Sequence, residues 1–171
     1  MSTIPSCEAV REKAQLLDKA AAAFSRRFLA APAAAEMEKN CSELNDRIAE
    51  MTDAGTPEGR LPLCDKAIVR GDAVNLVLRH FLRSNGLLDW DKDSQETRDA
   101  RKACSRPEFG LAQLLPIVET KTDDEAANTL ICLVCQIQHQ LEQMQKQHEM
   151  VFLAAGGNPD KLRLLRNGRK K

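Results

Sequence analysis

Apolar residues recur every three or four positions in four stretches of the chain, the spacing that lines one side of an α-helix. The first runs Val10, Ala14, Leu17, Ala21, Phe24, Phe28, Ala31, and Pro32 behind it marks a break, since proline cannot sit in a helix interior but can open a new helix. The second runs Ala34, Met37, Cys41, Leu44, Ile48, Met51 and stops at Gly55, in the turn-rich run Asp53 to Gly59. The third runs Ala67, Arg70, Val74, Val77, Phe81, with Leu78 and Leu82 beside it, and ends before Asn85-Gly86, where the glycine suits a left-handed C-terminal cap.

The fourth stripe is the longest: Ala127, Leu130, Val134, Ile137, Leu141, Met144, His148, Val151, Ala155, ending at Gly156-Gly157. Thr122 and Glu125 form a capping box at its start, with Asp123 and Asp124 in the first turn, where the helix dipole favours acids. Four stripes that each need a partner are best buried against one another. The expected fold is therefore all-α, an antiparallel four-helix bundle.

The remainder adds short pieces. Trp90-Asp91-Lys92-Asp93-Ser94 reads as a turn, Gln95 to Cys104 as a short exposed helix, and Leu111, Leu114, Leu115, Ile117 and Val118 as a second short helix packed on the bundle. Pro107 and Pro116 are expected to limit these pieces, and Asn158-Pro159-Asp160 to start a last helix. This divides the chain into a bundle domain at 1–157, with a connector at 87–121, and a short helix with a basic tail at 158–171.

Composition narrows the functions available. With 25 Lys+Arg against 25 Asp+Glu there is no net field to draw the molecule to DNA or an anionic membrane, so a basic site must be local. Aromatics are 4% of residues, with one Trp and no Tyr, which argues against base-stacking surfaces. No apolar stretch reaches the roughly 20 residues of a membrane span, and no secretory h-region follows Met1. A cytoplasmic protein with reduced thiols is the expectation.

Candidate chemistry is sparse. Cys132, Cys135 and His139 share one face of the fourth helix and could hold a metal with a further ligand such as Cys104 or His80; the alternative is that these small side chains fill a second interface. His148 occupies a stripe position and is expected to be a core or interface histidine. Gln136 and Gln145 stand where a di-iron bundle would need glutamates three residues before each histidine. No phosphate-cradling loop and no nucleophile elbow is found. The basic residues Lys161, Arg163, Arg166, Arg169, Lys170 and Lys171 include no acid among them and form the candidate nucleic-acid contact.

These features predict no enzyme and no cofactor. They predict a non-enzymatic oligomeric helical scaffold that holds a nucleic acid or a nucleoprotein partner. One observation behind this is that Ala126, Leu130, Ile131, Leu133, Val134 and Ile137 surround the start of the fourth helix, and a helix apolar all round must be buried all round. Either the 111–118 segment or another subunit must cover it. The alternative is a thiol- or metal-responsive module using Cys132, Cys135 and His139.

Phe81 to Asp93, Ala126 to Gln136, Phe152 to Gly157 and Ala22 to Leu29, read together, resemble bacterial four helix bundle suffix domain proteins. That group is similar to the four-helix bundle proteins of ribosomal RNA intervening sequences and to the accessory variability protein of diversity-generating retroelements. The resemblance implies a cytoplasmic bundle without enzymatic activity, a homopentamer, and a basic surface for nucleic acid and a reverse-transcriptase-like partner. The chain departs from the basic second helix of those relatives. Here that stretch carries Glu36, Glu38, Glu43, Asp46, Glu50, Asp53 and Glu58 against Lys39 and Arg47, which moves any phosphate contact to the tail.

Overall fold

Ser6 opens the first helix by accepting the Ala9 N–H on its hydroxyl at 3.1 Å. The computed structural model describes residues 6–104 and 111–165, and these form helices without any strand. The helices are α1 (Cys7–Phe28), α2 (Ala31–Ala54), α3 (Pro57–Ser84), α4 (Gln95–Cys104), α5 (Leu111–Thr120), α6 (Asp123–Ala154) and α7 (Pro159–Leu165).

The break at Pro32 falls where the sequence puts it. Pro32 lacks the N–H that a continuing helix would direct at Phe28, so the chain turns at Leu29-Ala30 and proline occupies the first turn of α2, where no N–H is needed. Gly55 and Gly86 adopt left-handed φ values of 71° and 67°, ending α2 and α3. At the start of α6, Thr122 Oγ1 accepts the Glu125 N–H at 3.3 Å.

α3 departs from expectation at its beginning. It starts at Pro57, inside the run read as a turn, because Thr56 caps it by accepting the Gly59 N–H at 3.2 Å and because Leu61 and Cys64 extend the buried stripe upstream. Its buried positions include Ile68, Val74, Leu78, Phe81 and Leu82, while Arg70 and Val77 lie half-buried at the stripe's edge. α5 also differs: it passes through Pro116 instead of ending there, carried by the burial of Leu114 and Val118.

Each long helix touches two others in a closed cycle: α1 packs on α2 and α6, and α3 on α2 and α6. Phe24, Phe28 and Phe81 form an aromatic cluster in this core, with ring centroids 4.9 Å (Phe24–Phe28) and 5.1 Å (Phe24–Phe81) apart. α5 lies on α1 and α6, and α4 on α6, so the apolar-all-round start of α6 is covered by this same chain.

Further along, α6 outruns its cover. Cys7, the first residue of α1, meets Met144 through its thiol at 3.9 Å. Beyond that point α1 offers nothing to pack against, and the predicted stripe emerges at Val151, which is 44% exposed; beside it, off the stripe, Met150 is 66% and Leu153 42% exposed. Among the described residues no helix is long and apolar enough to cross a membrane.

Candidate functional site: a cavity on the outer face of the sixth helix

The seam between α3 and α6 is unusually polar for a bundle interior. Asn75 donates to Gln138 Oε1 at 3.0 Å, and the Gln138 amide reaches back to Asp72 and to the Ile68 carbonyl, the latter at 3.3 Å. Gly71 makes this possible, because a Cβ there would stand 3.1 Å from Gln138 Cγ. One helical turn along, Asn75 Nδ2 lies 3.9 Å from the Cys135 sulfur.

Outside this seam lies a cavity of about 360 Å³ lined by Arg79 of α3, Trp90 of the α3–α4 turn, Arg101 of α4, and Cys132, Cys135, Gln136 and His139 of α6. Three devices hold its walls. Trp90 is buried, and its indole N–H donates to Asn128 on α6, which fixes the turn against that helix. Asp91 accepts from Arg79 at 3.1 Å and from Arg83 at 2.6 Å, so the turn is also tied to α3. Arg101 donates to the Trp90 carbonyl and lays its guanidinium over the indole ring, 5.1 Å from the centroid.

The cysteine–histidine face read from the sequence is thus real in space, with Cys132, Cys135 and His139 all on one cavity wall. The expectation of reduced thiols fails at Cys132, which takes part in a disulfide, whereas Cys135 is a free, exposed thiol. Spacing along one helix cannot reveal a disulfide partner supplied from outside that helix. A sulfur in a disulfide is no thiolate ligand, and among the described residues no group of three or more His, Cys, Asp or Glu side chains is arranged to hold a metal ion. His80, named as a possible fourth ligand, faces Ser84 at 3.3 Å and is not part of the cavity wall. Burial pushes the Cys135 thiol up from its ordinary pKa, against the pull of the Asn75 hydrogen bond and of Arg79 and Arg101.

The basic tail is placed only in part. Lys161 pairs with Glu58 in the first turn of α3, and Arg163 pairs with Asp160 at 2.5 Å. Arg166, Arg169, Lys170 and Lys171 lie outside the described residues. His148 is half-buried rather than held by a neighbour, and its Nε2 has no hydrogen-bond partner.

Sequence reasoning missed Arg79, Trp90, Arg101 and Gln136 as cavity residues. Arg79 and Arg83 at four-residue spacing, followed by Asp91, carried a usable signal for the tie to the turn. Arg101 carried none, since it sits in a helix polar on most sides. No protein-family model, curated protein or solved structure matches the chain.

Proposed function

We propose that the chain is an antiparallel four-helix bundle that acts as a non-enzymatic, self-associating scaffold. The direction of the helices is supported by their cross-links. Between α2 and α3, Met51 meets Arg60 and Asn40 meets Arg70, and between α3 and α6, Asp65 meets Gln145 and Asp72 meets Gln138, so within each helix pair one number falls as the other rises. The two-residue connections at 29–30 and 55–56 point the same way, because they allow only antiparallel neighbours.

The observation that carries self-association is the uncovered end of α6. Met150, Val151 and Leu153, with Leu164 of α7 at 71% exposure, offer large apolar side chains at one end of the molecule. Exposed apolar clusters of this kind mark protein–protein contacts, and a second copy brings an identical, self-complementary patch. A homopentamer is the form the family resemblance implies. Light scattering on the full chain at micromolar concentration tests the reading: a closed oligomer that Val151→Asp converts to monomer supports it, and a wild-type monomer refutes it.

The nucleic-acid part of the reading rests on Arg166 to Lys171, because the described members of the tail are already in ion pairs. A retained partner would be weakened steeply by salt and lost on deletion after Leu165. Equal duplex binding by the truncated chain at low salt would remove it.

A second reading, a thiol-responsive module, is favoured by one observation: Cys135 is a free thiol three residues from the disulfide-bonded Cys132 on the same helix. Its measure is the change in unfolding free energy on reduction. An unchanged stability in reductant counts against it.

A further inference from the structure

The cavity on α6 carries chemistry that self-association does not use. Among the described residues, its charged wall groups are the guanidiniums of Arg79 and Arg101, and no carboxylate lines it. Arg79 is matched by Asp91. Asp72, the acid of α3 whose charge acts on Cys135, is engaged by Gln138. Arg101 is exposed and has no ion-pair partner among the described residues. One of its N–H groups is spent on the Trp90 carbonyl, which fixes the fork in place and leaves the other donors of the guanidinium open.

Beside polar Gln136 and His139, the wall has a part suited to an apolar body. The Trp90 ring and the sulfurs of Cys132 and Cys135 present polarizable, weakly polar surface, and the raised Cys135 thiol stays protonated and uncharged near neutral pH. A bare inorganic anion would need several converging donors, whereas here one of the two guanidiniums is matched by Asp91 and the other stands beside Trp90 and the two cysteines. The volume of about 360 Å³ lies at the small end of the range for organic ligands.

We infer that this cavity binds a small organic anion, with the acid group on Arg101 and an apolar body against Trp90 and Cys135. The inference does not depend on the oligomeric reading, since the cavity is formed within one chain and lies away from the exposed end of α6.

Trp90 is the chain's one tryptophan, so its emission reports on this wall alone. The probe is 8-anilinonaphthalene-1-sulfonate, titrated into the full chain beside its uncharged analogue N-phenyl-1-naphthylamine. The expected result is saturable quenching of Trp90 by the sulfonate. Arg101→Gln should weaken the sulfonate by about tenfold or more and change the neutral dye by no more than about twofold. Cys135→Phe, which fills the cavity, should abolish quenching by both dyes while far-ultraviolet circular dichroism stays native. If Arg101→Gln does not fold, the wild-type preference for the sulfonate over the neutral dye and the Cys135→Phe result decide the question. Unchanged sulfonate affinity in Arg101→Gln, equal wild-type affinity for the two dyes, or quenching that survives Cys135→Phe would each overturn the proposal.

Discussion

Gln145 of α6 donates its side-chain N–H to the Asp65 carboxylate of α3 at 2.5 Å, and both side chains are buried in the seam between the two helices. A carboxylate withdrawn from water is tolerated only where donors replace the solvent, and Gln145 supplies one. Gln145→Leu should therefore destabilise the fold by about 2 to 3 kcal/mol, more than its small change in volume would cost. Replacing both residues by leucine should cost less than Gln145→Leu alone, because no buried carboxylate is then left short of a donor. Urea unfolding of the three variants measures both statements.

Leu130 and Leu141 are fully buried on the core side of α6. Either change to alanine should cost about 2 to 5 kcal/mol through lost transfer energy and the cavity left behind. Val151 belongs to the same stripe by sequence but lies past the end of α1. In a monomeric background Val151→Ala should stay within about 0.5 kcal/mol of wild type, and a core-sized loss there would show that α6 is covered along its whole length.

Burial, and after it the Arg60 guanidinium, holds the His148 imidazole below its ordinary pKa of 6.5. On acidification the unfolded chain takes up this proton before the folded chain does. The contribution is intact above pH 6.5 and is lost as the pH falls from there toward the lowered folded value. His148→Gln should flatten the stability curve across that window. An equally steep curve in the variant would assign the pH dependence to other groups.

Thiol reactivity should divide the cysteines by environment. Burial, reinforced by Asp18, pushes Cys41 up to about 12, and burial with Cys7 beside it does the same for Cys64. Iodoacetamide applied to the native protein at pH 8 should label the exposed Cys135 and leave Cys41 and Cys64 unmodified until denaturant is added. Peptide mapping by mass spectrometry reads the result, and early labelling of Cys41 would mean that α1 and α2 open readily at that point.

Much of the helical fold was legible because a 3,4 rhythm is a local property of the chain. Val10 to Phe24 and Met37 to Met51 are buried as their spacing requires, and the Thr122 cap closes as its chemistry requires. What escaped was decided by tertiary context. Arg70 and Val77 fit the rhythm of α3 but sit at the edge of its buried face, because Leu61, Cys64 and Ile68 rotate the true stripe slightly away from them. Val151 and Ala155 keep the rhythm of α6 after the neighbouring helix has ended, which no pattern within α6 can announce. At the cavity, periodicity placed Cys132, Cys135 and His139 together, whereas Arg101 and Trp90 reach them only through the path of the α3–α4 turn and the Asn128 tie.

Gly71 gives the α3–α6 seam no slack at its middle. A single added methyl at that position would press on the Gln138 side chain, and Gln138 is the residue that reaches Asp72, Asn75 and the Ile68 carbonyl. Relief could come from Gln138 letting go or from the two helices spreading apart. Because Arg79 stands on one of those helices and Cys135 on the other, the gauge of the cavity mouth is set by a hydrogen atom where most helices carry a side chain, and the cavity would respond to change at a residue that does not line it.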